Sequence, residues 1–299
     1  MLKRAYGLEV VTLAVLVYCW PLPAWATALC AVDATAEEIC LKKPASRIAA
    51  LSPGATELIW AAGAGDQVVA VVSFSDYPPA AREVTSVGSH TRIDMERLVS
   101  LKPDLVIGWV TGNPPEQIEA LKDLGMTVFS IEPRSFEAVS TTIEKLATLA
   151  GTEEEGFAAA DHFRTGIASL EQQYQHAEPV PVFYQVWNEP LMTVNDEHLI
   201  GKVITLCGGT NVFGDLDRLV PRISVEAVIA ANPEAILAGG MGEENRHWLT
   251  RWQAFPGVKA TRRDNLYFIP PSLVQRPTPR MLEGSRLFCE KLEAARDKR

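Results

Sequence analysis

The chain is short of basic residues: 28 Lys and Arg stand against 37 Asp and Glu over 299 residues, a formal net charge of -9. An acidic surface repels phosphate backbones and anionic headgroups, which argues against nucleic-acid and peripheral membrane binding. Catalytic signatures are missing as well. There is no Gly-x-Ser-x-Gly, no Gly-x-x-x-x-Gly-Lys and no His-Glu-x-x-His. His162, His176, His198 and His247 share no ligand spacing such as His-x-x-x-His and read as surface residues. Cysteine is scarce, five in all, with no Cys-x-x-Cys to suggest zinc or a redox dithiol.

What is there begins with a leader. Lys3 and Arg4 precede an apolar stretch over 10–22, followed by Ala24-Trp25-Ala26, whose small residues fit signal peptidase cleavage after Ala26. The stretch is short of the ~20 residues a spanning helix needs, and Pro21 and Pro23 break it. Large residues before Cys19 and Cys30 (Tyr18, Leu29) argue against lipid attachment. Removing 1–26 takes away Lys3, Arg4 and Glu9 and leaves the exported chain one unit more acidic. Four cysteines remain, Cys30, Cys40, Cys207 and Cys289, and export makes disulfides their default state. Three connectivities are open. The preferred one pairs Cys30 with Cys40 across a short loop and Cys207 with Cys289, tying the last helix to its own domain.

The remaining length exceeds the ~100 to 200 residues of one domain. From residue 47 strands and helices alternate: strands at 48–51, 68–72, 105–109 and 128–131, helices at 56–62, 94–100 and 115–124. A second series follows, with strands at 182–186, 235–238 and 266–269 and helices at 199–207, 225–231 and 280–294. Such alternation predicts parallel sheets covered by helices. A proline-free tract over 153–174 predicts one long helix of ~30 Å between the two series. The fold class is therefore α/β, with two Rossmann-like lobes, each with a central parallel sheet, joined by one backbone helix. The expected division is signal peptide 1–26, N-terminal segment 27–46, N-lobe 47–150, bridging helix 151–177 and C-lobe 178–299.

The two series share a repeat. Glu96-Arg-Leu-Val-Ser-Leu-Lys-Pro-Asp-Leu-Val-Ile107 aligns with Glu226-Ala-Val-Ile-Ala-Ala-Asn-Pro-Glu-Ala-Ile-Leu237. Both begin with Glu, keep apolar residues in phase, and run through a Pro and an acid into a strand, so the lobes are pseudo-equivalent.

Leu51-Ser-Pro-Gly-Ala-Thr-Glu57, Ser75-Asp-Tyr-Pro-Pro79, Glu96-Arg97 and Leu101-Lys-Pro-Asp-Leu-Val-Ile107 carry a resemblance. It continues more thinly through Cys207-Gly-Gly209, Ile223-Ser-Val-Glu226 and Pro279-Arg280. The chain resembles the helical-backbone, class III, solute-binding proteins of ABC importers for cobalamin, siderophores and haem, the cobalamin binders above all. That resemblance implies capture of a corrinoid in the cleft between the lobes, with no cofactor of the protein's own. It implies delivery by a periplasmic monomer to a permease and ATPase complex. It places Phe74, His90 and Trp109 of the N-lobe and Trp187 and Arg276 of the C-lobe at the ligand, and Glu96 and Glu226 at the transporter.

The sequence departs from the pattern at three places. His90 stands where an indole is expected and is either a solvated loop residue or a donor to the metal of a bound chelate. Ser272 replaces an expected acidic partner, and Val220 replaces a tryptophan. A precursor corrinoid, haem or an iron-siderophore chelate is the alternative cargo. The alternative class is an exported α/β enzyme, for which only Ser52, on a strand-to-helix turn, offers a nucleophile; helix capping accounts for it. A periplasmic adaptor for a protein partner would need a large exposed apolar patch. Trp248 and Trp252, four apart, read as core packing, and Gly239-Gly240 as either a tight turn or a close approach to ligand.

Overall fold

A computed structural model describes residues 28–240, 242 and 245–299. The expected leader, 1–26, lies outside the described residues. The described residues open with an antiparallel hairpin, β1 (Leu29–Val32) and β2 (Glu38–Leu41), in which Cys30 and Cys40 face each other and are disulfide-bonded. Its turn is organised by Asp33: Oδ1 accepts from the N–H groups of Thr35 and Glu37, and Oδ2 from Ser130 N at 3.1 Å.

The first lobe contains β3 (Ile48–Ala50), α1 (Pro53–Ala61), β4 (Val68–Ala70), the short hairpin β5 (Gly88–Ser89) and β6 (Arg92–Ile93), and α2 (Met95–Ser100). It continues through β7 (Leu105–Trp109), α3 (Pro115–Asp123), β8 (Val128–Ile131) and α4 (Phe136–Ala150). Four strands pair in parallel in the order β4-β3-β7-β8. Ser130 lies on the edge strand β8, so the hairpin's bonds to it shield an edge that would otherwise expose unpaired backbone groups.

After α5 (Glu153–Tyr174) the second lobe repeats the plan. It comprises β9 (Val180–Gln185), α6 (Leu199–Leu206), β10 (Gly209–Asn211), α7 (Val225–Ala231), β11 (Ala235–Ala238), α8 (Lys259–Arg262), β12 (Leu266–Phe268), α9 (Pro271–Val274) and α10 (Met281–Arg296). The parallel order is β10-β9-β11-β12. A Cys207–Cys289 disulfide joins the end of α6 to α10.

Period-two alternation decides how the core is shared. Ile48, Ala50, Leu105 and Ile107 on one sheet, and Val182, Tyr184 and Leu237 on the other, enter one continuous cluster that also takes in Phe163, Ile167 and Leu170 of α5. The alternate residues face separate clusters, Ala49 and Val106 in the first lobe, Phe183 and Ile236 in the second. The two lobes thus pack on opposite ends of one helix through a common apolar seam. Two glycines let α5 approach so closely: a Cβ on Gly156 would lie 2.3 Å from the Cβ of Ala147, and one on Gly166 2.4 Å from Leu282.

Candidate functional site

In a parallel sheet the loops after the C-terminal ends of the strands are where ligands bind. The loop 71–78 follows β4, Trp109 ends β7, Trp187 follows β9, and Arg276 lies beyond β12. His90 sits in the turn between β5 and β6.

On the first lobe the aromatic side chains are posed by backbone chemistry. Asn113, buried, accepts from Trp109 N at 2.6 Å and donates to Leu51 O at 2.9 Å and His90 O at 2.8 Å. One amide therefore fixes the ends of β3 and β7 and the His90 turn together. The rings of His90 and Trp109 stand 5.8 Å apart, tilted by 45°, both half-buried. Trp109 lies over Gly112, where a Cβ would fall 1.8 Å from the indole. Phe74 has φ of 67° and is 78% exposed, a left-handed backbone under a bulky ring. The adjoining Ser75, buried, accepts from Thr56 Oγ1 at 2.9 Å, which helps hold that turn.

The second lobe places Trp187 edge-on to Trp248, ring centroids 5.8 Å apart, with its indole N–H donating to Glu189 O. Trp248 covers Gly240, and the fully buried Trp252 donates to Gln185 Oε1 at 2.8 Å. Both tryptophans are core residues of a 3-10 segment, Asn245–Ala254, and Trp248 also backs Trp187.

Between the lobes, Arg276 is engaged with the opposite lobe. Its Nη1 donates to Glu57 Oε1 at 2.8 Å and to Asp76 Oδ1 at 2.7 Å, and Nη2 to Phe74 O at 3.2 Å. Glu57, buried on α1, also accepts from Thr278 Oγ1 at 2.7 Å. Partial burial works to raise the Asp76 carboxyl, but the Arg276 guanidinium outweighs it and holds Asp76 below the usual range. The guanidinium of Arg280 lies 4.2 Å from the centroid of Tyr77 and donates to Ser272 Oγ at 3.3 Å. The two carboxylates that bind Arg276 thus come from the other lobe. A cavity of about 430 Å³ is lined by Glu57, Tyr77 and Arg280 with Trp60, His162 and Arg286; Phe74, His90, Trp109 and Trp187 do not line it.

The outer glutamates occupy matching places. Asp94 and Ser224 cap α2 and α7 through hydrogen bonds to Arg97 N and Ala227 N, and Glu96 and Glu226 follow, both exposed. Its own backbone N–H and the Ser224 hydroxyl hold the Glu226 carboxyl below the usual range. Lys102 and Asn232, equivalent in the repeat, share a positive φ of 49° and 47°. His198 is not the surface residue its sequence context suggested: half-buried, it caps α6 by accepting from Ile200 N, and burial pushes its pKa down to about 4.

The profile of the periplasmic binding proteins matches residues 48–273. The chain belongs to that family. Its members are binding proteins that serve transport, not enzymes. It is 36% identical over 252 residues to the vitamin B12-binding protein of Vibrio cholerae, spanning 84% of this chain and 91% of that one. The vitamin B12-binding protein of Vibrio campbellii is 33% identical over 256 residues, 86% and 92% of the two chains. The crystal structure of the periplasmic vitamin B12 binding protein of Vibrio cholerae superposes with a TM-score of 0.77 over 85% of this chain and 98% of that one, at 36% identity. A periplasmic heme-binding protein from Roseiflexus gives a TM-score of 0.74 at 25% identity, over 84% and 98%.

Glu57, Asp76 and Asn113 were not among the sequence candidates. The first two lie inside the motifs that carried the resemblance; Asn113 pairs locally only with Trp109 N, and its other two partners, Leu51 O and His90 O, are distant in sequence.

Proposed function

We propose that this chain is the periplasmic substrate-binding component of an ABC importer, taking cobalamin or a related corrinoid between the two sheet edges and handing it to a membrane permease and ATPase. The observation that carries the reading is aromatic lining on both strand-end edges, in a chain with 36% identity to a vitamin B12-binding protein across 91% of that protein. A broad, flat macrocycle takes its affinity from such faces. Phe74, His90 and Trp109 contact it from one lobe and Trp187 from the other. Arg276 sets the spacing of the edges through Glu57 and Asp76 and supports the Phe74 turn. Glu96 and Glu226 dock the loaded protein, because charges placed one per lobe set register on a basic partner. The leader is removed after Ala26, and the mature chain works as a periplasmic monomer with lobes 47–150 and 178–299 on either side of the bridge 151–177.

A second reading has one observation in its favour. The clamped main chain of His90 holds an imidazole beside Trp109, a donor suited to the iron of haem or another chelate as well as to cobalt. Calorimetric titration of the mature chain with cyanocobalamin, dicyanocobinamide and haem separates the two. Saturable binding of a corrinoid is expected; heat from haem alone would overturn the corrinoid assignment and leave transport standing.

A further inference from the structure

The repeat that places Glu96 and Glu226 also places a second pair of side chains. One helical turn beyond each glutamate stands a β-branched aliphatic residue, Val99 in α2 and Ile229 in α7. Both are exposed, 39% and 38%, although the residue before each, Leu98 and Val228, is completely buried. An i, i+3 relation sets the aliphatic side chain and the carboxylate on one helix face. Isolated exposed aliphatic residues are ordinary on a protein surface. Two at positions equivalent by sequence, capping and backbone conformation, each beside an exposed acid, are a repeated surface element. Each helix leads through its Pro joint into a parallel strand of its lobe's sheet, β7 or β11.

We infer that each lobe docks by a two-part knob, an acid and a branched aliphatic, onto a permease face that offers a basic side chain next to a small apolar pocket, twice, about an approximate two-fold. This rests on the docking role proposed for Glu96 and Glu226. The chemistry divides the work: the carboxylates give long-range attraction that salt screens, and the aliphatic side chains give contact burial that salt does not weaken. It also accounts for one branched aliphatic residue on the outward face of each of these helices, only six and seven residues long, where a polar residue would be the usual choice.

The test is binding of the full mature chain to its importer in nanodiscs, at low and high salt. V99S and I229S are each expected to weaken binding about tenfold, by similar factors and at both salt concentrations. V99I keeps the branched side chain and should bind as the wild type does. E96Q and E226Q should weaken binding at low salt and lose most of their effect at high salt. If V99S and I229S bind as the wild type while E96Q/E226Q is impaired, the glutamates dock alone and the two-part knob is wrong. If all four variants match the wild type, the docking face itself has been misassigned.

Discussion

The two walls of the cleft are built differently. The first lobe holds Trp109, His90 and Phe74 with hydrogen bonds to main chain and a strained turn, whereas the second sets Trp187 edge-on against buried Trp248. A wall posed by hydrogen bonds is defined in angle and position. A wall posed by packing is defined by volume, and its parts support the lobe's stability as well as the site. Damage to the first should therefore appear mainly as lost ligand affinity, and damage to the second mainly as lost stability.

The largest expected effect tests the packed wall. Trp252→Ala empties a fully buried site and strips Gln185 of its indole donor, and should cost about 4 kcal/mol in urea unfolding. Next comes the join between the walls. Glu57→Gln leaves Arg276 and Thr278 short of a buried carboxylate and should cost about 3 kcal/mol, while Asp76→Asn, whose side chain is 48% exposed, should cost under about 1 kcal/mol. Equal losses for the two would remove the claim that Glu57 anchors the lobes.

The third effect distinguishes the lobes by pH. The His198 imidazole has its pKa depressed to about 4 by burial, against about 6.5 in an unfolded chain. Between those values the unfolded chain takes up a proton that the folded one refuses. Stability present above pH 6.5 is thus lost as pH falls, by roughly 3 kcal/mol at pH 4. In the N-terminal hairpin, against the first lobe's edge strand, the hydrogen bonds of Asp33 overcome its burial and hold it below the ordinary carboxylate range, so its contribution fails only at lower pH. His198→Asn keeps a capping residue and should flatten the profile between pH 6.5 and 4; an unchanged profile would place the proton elsewhere. The hydrogen-bonded wall should change stability less than the packed one. Asn113→Leu should cost about 2 kcal/mol yet weaken ligand binding more than Trp252→Ala does, measured by calorimetry on folded protein.

Some elements could be read directly from the chain. The long helix matches its expected limits, Glu153–Tyr174, because no proline interrupts it and buried Phe163, Ile167 and Leu170 recur at helical spacing. Strands β7 and β11 were legible as continuous apolar runs, and β8 as one broken only by Ser130, the pattern of strands buried on both faces. Helix α4 went unassigned despite Ser135 as its cap and a left-handed Gly151 at its end, since Ser140, Thr141 and Thr142 in its middle weaken the local preference. Strand β10, Gly-Thr-Asn, carries no periodic signal at all and exists only because it pairs with Val180 to Val182.

At the site the same division holds. Aromatic character at positions 74, 109 and 187, the capped glutamates of the repeat and the even set of cysteines are properties of residue type and spacing, so the sequence alone determined them. That Arg276 reaches Glu57, more than two hundred positions away, or that Asn113 joins Leu51 and His90, was decided only by tertiary structure. The reason is physical: a buried charge or amide must find a partner wherever folding brings one, and nothing in its local sequence names that partner.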